Sequence, residues 1–379
     1  MSHVSRPTVN LVLECGGGGA ARHVLDLYQG LTRNGWSVRL LVSFVRADSL
    51  FKADLAQLPA HAIVDIPMHR RPDPSDLRAS ARLRTLLRGD GEPAIVHAHS
   101  TKAGLLVRAA VPSLHARLFT PHAFRGMDEQ LSGWRATGIR AFERLISDGF
   151  DRVIAVSPSE LTYAQDIGLA RKRLVYIPNG VDVEALNAAA QRIRRNRTSP
   201  RVTLGFVGRL VFQKNPETFM DCFRRVLGSG LDAQAVIIGD GPLRGSLESF
   251  CRSAGIDSRV RFLGVVDAAS RMPEFDVLVH TSRYESMPYT LLEAIAARVP
   301  VVAVDNAGSR EIIADKSRLV SDCEDAAELT VRTLRMLSDQ PYRSCVLEAD
   351  FAQMKRFDIA QMCRQVEAEY EAVLHGKLQ

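Results

Sequence analysis

Two acidic residues frame a proline in "SRYESMPYTLLEA" (282–294), with Glu285 before Pro288 and Glu293 after it. A proline ahead of an apolar run reads as a helix start, and acids near such a start are ordinary capping chemistry. The chemical alternative is a ligand cradle. A carboxylate accepting two hydrogen bonds suits the vicinal hydroxyls of a ribose or hexose, and a helix N-terminus between two such groups suits a phosphate. With Pro288 opening the helix, Glu285 sits on the preceding loop and Glu293 lies in the second turn. Upstream, "GFVGRLVFQKNPE" (205–217) sets Arg209 and Lys214 just after a strand-like run. Two cations there can neutralise a diphosphate that leaves with developing negative charge; the plain alternative is that one of them is a surface charge.

Nearer the N-terminus, "ECGGGGAARHVLDL" (14–27) runs four glycines from a strand end into a helix, where backbone amides can approach a phosphate or a sugar. Gly16, Gly18 and Ala21 satisfy the loose dinucleotide pattern. A nicotinamide site would also want an acid at the end of the next strand, where the chain has Ser43 and Arg46. A tight turn without a ligand stays open. His97 and His99 in "VHAHSTKAG" (96–104) alternate on a strand and point to one side, the start of a metal pair, yet the sequence shows no third ligand nearby.

These groups need elements to hold them. A chain of 379 residues with 46% hydrophobic and 24% charged residues is long enough for two globular cores. Short apolar runs at 8–14, 37–43, 94–99, 117–121, 152–157 and 174–179 alternate with helical patterns, as buried strands of a parallel sheet do. After a low-hydrophobicity bridge, "NAAAQRIRRNRTSP" (187–200), the rhythm restarts at 201–208, 233–241, 259–264, 276–282 and 300–304. The fold class is α/β, with two Rossmann-like parallel-sheet domains: 1–185, a linker at 186–200, and 201–356. The last stretch, 357–374, has apolar residues at helical spacing and says nothing by itself about which domain it joins.

Six cysteines lie far apart with no CxxC pair, which argues against a zinc ribbon or a disulfide framework and fits a reducing cytoplasm. No apolar run reaches bilayer-spanning length. The net charge of +6 comes mostly from arginines clustered at 68–88, 171–173 and 192–197. Solvated helix faces and a basic linker explain such clusters, and an attraction to anionic headgroups or acidic substrates is the alternative. Nucleic acid is set aside, because aromatics are 6% and no basic stretch interleaves them.

The ordered set of "ECGGGG", "VHAHSTKAG", "TPHAF" (120–124), "IAVSPSE" (154–160), "IPNGVD" (177–182), "GRLVFQK", "GDGPL", "FLG" and the glutamate pair resembles the retaining glycosyltransferases of family four, of GT-B architecture, over nearly the whole chain. The resemblance implies two domains facing a central cleft, with the terminal helix at 357–379 packed back on the first. It implies that Gly18 and Gly19 close over the donor, that Arg209 and Lys214 bind its diphosphate, and that Glu293 holds the ribose. Glu285 would stand near the transferred sugar, and His122 beside the reacting centre. Met287, Tyr289 and Thr290 complete the implied donor set, and His99, Lys102 and Arg125 the acceptor set. The base would be gripped by backbone near 262–266. No metal and no cofactor is implied beyond a UDP- or GDP-sugar co-substrate.

Two stretches depart from the pattern. Ser286, Met287 and Pro288 replace a common Gly-Phe-Gly, and proline removes one backbone amide. Ala21 stands where relatives often have glutamate. The resulting expectation is transfer of a sugar, with retention, from a nucleotide-diphosphate sugar to a saccharide hydroxyl. A lipid-linked acceptor in cell-surface glycan assembly is favoured: 120–146 mixes arginines with apolar residues and could rest on an anionic membrane, although an ordinary amphipathic core helix is the first reading of that stretch. Alternatives are a nucleotide-sugar epimerase of the same architecture, transfer to a soluble acceptor, or a noncatalytic nucleotide-sugar binder.

Overall fold

The structure is a computed structural model that describes residues 6–69, 73–88, 94–128, 131–196 and 201–378. Residues 70–72 and 197, from two of the arginine clusters, and 129–130, from the 120–146 stretch, lie outside the described residues. The chain divides into two compact units, Met1–Asn179 with Ile359–Gln379, and Gly180–Asp358.

The first unit carries a seven-stranded parallel sheet, β1 (Val9–Leu13), β2 (Val38–Val42), β3 (Ile63–Asp65), β4 (Ile95–His99), β5 (Ala116–Thr120), β6 (Arg152–Ala155) and β7 (Leu174–Tyr176), in the order β3-β2-β1-β4-β5-β6-β7. Side chains alternate across it: Leu11, Leu13, Leu40 and Val42 enter one core, while Val12 and Leu41 enter the core on the opposite face. That two-sided burial explains why the strands read as unbroken apolar runs. The order reverses between β1 and β4, where Leu13 stands beside His99, and His99 in turn beside Thr120 of β5. Sequence reading missed β3, a three-residue edge strand only partly buried and too short for a periodic signal.

The second unit holds β8 (Val202–Val207), β9 (Ala233–Ile238), β10 (Val260–Gly264), β11 (Val277–His280) and β12 (Val301–Ala303), all parallel, in the order β10-β9-β8-β11-β12. Its reversal falls between β8 and β11. Gly205 makes that pairing possible, since a β-carbon there would lie 2.1 Å from the Phe275 ring. Residues 186–200, expected as a linker, are largely the helix Val183–Arg195, capped by Asp182, which accepts a hydrogen bond from Ala185 N, and counted with the second unit. Its low hydrophobicity reflects how little it buries: Ala190 is its one fully buried residue.

The terminal helix Ile359–Leu378 inserts Met362, Cys363, Val366, Tyr370 and Val373 into the first unit's core. It lies so close to helix Gly18–Arg33 that a β-carbon at Gly30 would sit 2.3 Å from Cys363 Sγ. Gly30→Ala is expected to cost about 1–3 kcal/mol by overpacking despite the better helix propensity of alanine. Adding Cys363→Ala should recover most of that loss in urea denaturation, and an additive double mutant would remove the contact from the account.

Candidate functional site

Each sheet reversal gathers candidate residues at the carboxyl ends of its strands, the edge where open α/β sheets take ligands. The two are described separately.

In the first unit, β1 runs through buried Glu14, ion-paired with Arg46, into the glycine loop. Gly16 is required by contact, because a β-carbon would lie 2.7 Å from the Ala47 backbone. Gly18 takes a φ of +67°, opens helix Gly18–Arg33 and, with Gly19, is exposed, so this helix presents its positive end to solvent. One turn in, buried His23 places Nδ1 3.1 Å from Asn179 Oδ1.

His97 and His99 do share one side of β4, with rings 4.0 Å apart, but their tasks differ. His97 is held at both nitrogens, 2.8 Å from Tyr370 Oη and 2.8 Å from Thr120 Oγ1, by the terminal helix and β5. His99 Nδ1 lies 3.0 Å from His122 Nε2, and its Nε2 has no hydrogen-bond partner among the described residues. The His97–His99 pair is not the set that the fold gathers, because both nitrogens of His97 are engaged. Although far apart in sequence, His23, His99 and His122 each bring one ring nitrogen within 4.8 Å of the others. Burial holds all four imidazoles below their ordinary pKa, His23 at about 4, with the neighbouring rings adding repulsion around His97, His99 and His122.

His122 and Ala123 adopt left-handed backbone, with φ of 54° and 85°. Such strain persists only where surroundings fix it. Here buried Glu160 accepts from Ala123 N and Val156 N, while buried Glu143 accepts from Arg125 N at 2.6 Å, Gly126 N at 3.3 Å and Tyr163 Oη at 2.6 Å. Sequence reading missed both glutamates. Arg125 is exposed beside His122, whereas Lys102 is buried and ion-paired with Asp76.

In the second unit, Gly208 (φ +159°) follows β8, and Gly239 and Gly241 of "GDGPL" press against the same loop; their β-carbons would lie 2.0 and 2.4 Å from the carbonyls of Gly208 and Leu210. These glycines let two loops meet backbone to backbone. Arg209 is exposed and makes no ion pair among the described residues. Lys214 ends a short turn, and its ammonium pairs with Glu285. Burial would raise the Glu285 carboxyl, but Lys214, His280 and Ser282 together hold its pKa below the usual value. Thr281 Oγ1 of the loop after β11 donates to the carbonyls of Lys214 and Asn215, at 2.9 and 2.8 Å, and locks this lysine turn to that loop.

The helix after Glu285 is Tyr289–Ala296, one residue later than expected, because Pro288 keeps an extended ψ of 118° and serves as the cap. Glu293 still falls in the second turn and is 8% exposed; Met287 and Tyr289 are buried, and Thr290 is half-buried. A β-carbon at Gly308 would lie 2.6 Å from Pro288 Cδ and 3.0 Å from Glu285 Cβ, and Gly308 N donates to Glu285 O at 3.0 Å. Gly308 thus braces the loop that carries the glutamate, another contributor invisible in the sequence.

Two family profiles match: one described as Glycosyltransferase Family 4 over residues 17–185, and one described as Glycosyl transferases group 1 over residues 201–339. The phosphatidyl-myo-inositol mannosyltransferase of Mycobacterium leprae is 26% identical over 94% of this chain and 93% of its own. EpsF of Bacillus subtilis is 29% identical over 59% of this chain, which spans 60% of that protein's length. Among solved structures, HepE of Anabaena in complex with UDP and glucose superposes with a TM-score of 0.77 at 20% identity, covering 97% of this chain and all of that one. At that identity the likeness concerns the fold.

The buried histidines also set an acid limit. His280, at the end of β11, is held at about 4 by burial, opposed by Glu285. His23 and His280 stay neutral in the folded chain while the unfolded chain takes up protons below about 6.5. The unfolded state therefore binds more protons between about pH 6.5 and 4, and stability falls as pH drops through that window. The urea midpoint is expected to be lower at pH 5 than at pH 7.5, with a shallower dependence in His280→Gln; an unchanged slope would take His280 out of this effect.

Proposed function

From a GT-B-fold chain related to glycosyltransferase family 4 in one half and to the glycosyl transferases group 1 in the other, we propose that this protein moves a sugar from a nucleotide-diphosphate sugar to a hydroxyl of a saccharide acceptor, with retention of anomeric configuration. The observation that carries the reading is the pair of cations at the second sheet's reversal: Arg209 exposed, and Lys214 held by Glu285 and by the Thr281-anchored turn.

In this reading Arg209 and Lys214 meet the diphosphate. The bond from the anomeric carbon to the phosphate oxygen breaks with its electron pair going to the leaving diphosphate, and the acceptor oxygen bonds to the same face of that carbon. The acceptor proton passes to the leaving phosphate. The charge on the phosphate then rests against two cations already in position, so little reorganisation is needed as it develops. Glu293 takes the ribose hydroxyls, and Met287, Tyr289 and Thr290 line the donor at the helix start. Gly18 and Gly19 offer the positive helix end to its phosphates. His122 of the first unit and Glu285 of the second are each assigned to the transferred sugar, and His99 and Arg125 to the acceptor. Lys102, buried and paired with Asp76, ties helix Thr101–Ala110 to helix Ser75–Arg88 and would act on the acceptor side by position.

The acceptor is proposed to be lipid-linked. Helix Gly133–Ser147 buries Glu143 and Ile146 while exposing Trp134, Phe142 and Leu145, with Arg135, Arg140 and Arg144 also at its surface. Apolar side chains among arginines suit an anionic membrane surface. Among the described residues no helix is long and apolar enough to cross a membrane.

Lys214→Ala is expected to lower turnover by about a hundredfold or more with the correct donor. That donor is identified by thermal shift and slow release of nucleotide diphosphate across a nucleotide-sugar panel, with Glu293→Ala losing the shift. Near-wild-type turnover in Lys214→Ala would sink the assignment. Separately, Trp134→Ser with Leu145→Ser is expected to weaken cosedimentation with anionic vesicles at low salt by about tenfold or more. Equal binding would move the membrane contact elsewhere.

A further inference from the structure

His280 ends β11 at the second sheet's reversal, is buried, and is left without a task by the transfer reading. Its Nε2 lies 3.3 Å from Ser282 Oγ, while Nδ1 meets no hydrogen-bond partner among the described residues. An apolar side chain would fill such a place without the cost of burying an unpaired ring nitrogen. Nor does the loop that follows need the imidazole to keep its course. Thr281 Oγ1 ties it to the lysine turn, Arg283 N donates to Gln213 O at 2.9 Å, Asn306 Nδ2 donates to Ser282 O at 2.8 Å, and Gly308 N holds Glu285 O. What these backbone contacts leave undetermined is the direction of the Ser282 hydroxyl.

A hydroxyl has one hydrogen to give, and here Glu285 takes it: the Ser282 side chain hydrogen-bonds this carboxylate, which when ionised can only accept. The serine oxygen is therefore the acceptor towards His280, so Nε2 carries the ring hydrogen and Nδ1, the unpartnered atom, is the bare nitrogen. We infer that His280 is a positioning residue: its Nε2–H donates to Ser282 Oγ, the Ser282 hydroxyl donates to Glu285, and the carboxylate so oriented fixes the Lys214 ammonium. Every link runs one way, from a neutral ring to an ionised pair. Glu285 and Lys214 are the charged groups that face the imidazole, and burial keeps the ring neutral, with a pKa of about 4, so the donors keep their direction at neutral pH. The inference rests on the transfer reading in one respect, that the ammonium held in this way meets the leaving diphosphate.

The first readout of the test needs no donor. Long-range proton–nitrogen NMR of the ligand-free full chain at neutral pH is expected to show His280, assigned by the loss of its signal in His280→Gln, as the Nε2–H tautomer. The second is the Glu285 carboxyl, followed by carbon NMR of labelled glutamate and assigned with Glu285→Gln. Its pKa should rise in Ser282→Ala and in His280→Leu, and stay at the wild-type value in His280→Gln, whose amide nitrogen can replace Nε2. With a donor that turns over, kcat should fall about tenfold in His280→Leu and in Ser282→Ala with little change in KM, and recover in His280→Gln. An Nδ1–H tautomer, an unmoved Glu285 titration in folded Ser282→Ala, or equal losses in His280→Gln and His280→Leu would overturn the inference. A wild-type chain with the expected tautomer and carboxyl shifts that turns over no donor would keep the chain of hydrogen bonds and remove the transfer reading instead.

Discussion

A parallel strand cannot turn straight back into its neighbour; it must cross over, and each crossover returns the chain to the same starting edge. Every strand in both sheets obeys this constraint, so all loops that follow strands collect on one edge of each sheet. Where the strand order reverses, the helices on either side leave in opposite directions and a crevice opens. The glycine loop after β1, His99 at the end of β4, the loop after β8 and Glu285 after β11 are neighbours of those two reversals. Residues far apart in sequence meet there because backbone pairing leaves them nowhere else to go.

The positions so gathered are held by a second layer of contacts. Lys214 is fixed by a carboxylate at its tip and by a threonine at its backbone, so its charge is oriented before any ligand arrives. The left-handed loop bearing His122 is tied down by two buried glutamates, each satisfied by backbone amides. Carboxylates can be buried in this way because amide donors replace lost water. The glycines at 205, 239, 241 and 308 do the complementary task of letting backbone approach where any side chain would collide.

Much of this was legible in sequence and some was not, for physical reasons. Most strands are buried on both faces and leave continuous apolar runs, whereas the edge strands β3 and β7 are both three residues long and partly buried, and only β7 continued into an apolar run long enough to read. The helix within the bridge at 186–200 leaves little trace in the sequence because it covers little apolar surface. Pro288 shifted its helix start by one residue because an extended backbone makes it a cap and not a first turn. Glu143 and Gly308 carry no local pattern, since their partners lie across the fold, and Glu160, at the end of a quoted motif, gives no local sign of its bond to Ala123 N. The third histidine was hidden for the same reason: His23 and His99 are separated by most of three strands and their crossovers.

The terminal helix has a consequence for how the molecule is made. Tyr370, which grips His97, and the apolar residues that complete the first core leave the ribosome after the whole of Gly180–Asp358 has been synthesised. At about 5–20 residues per second, the interval is on the order of ten to forty seconds. Until then the apolar side of helix Gly18–Arg33 that these residues cover lacks its partner. The unit begun first is thus the one completed last, and the nascent chain depends on shielding of that side until residues 359–378 emerge.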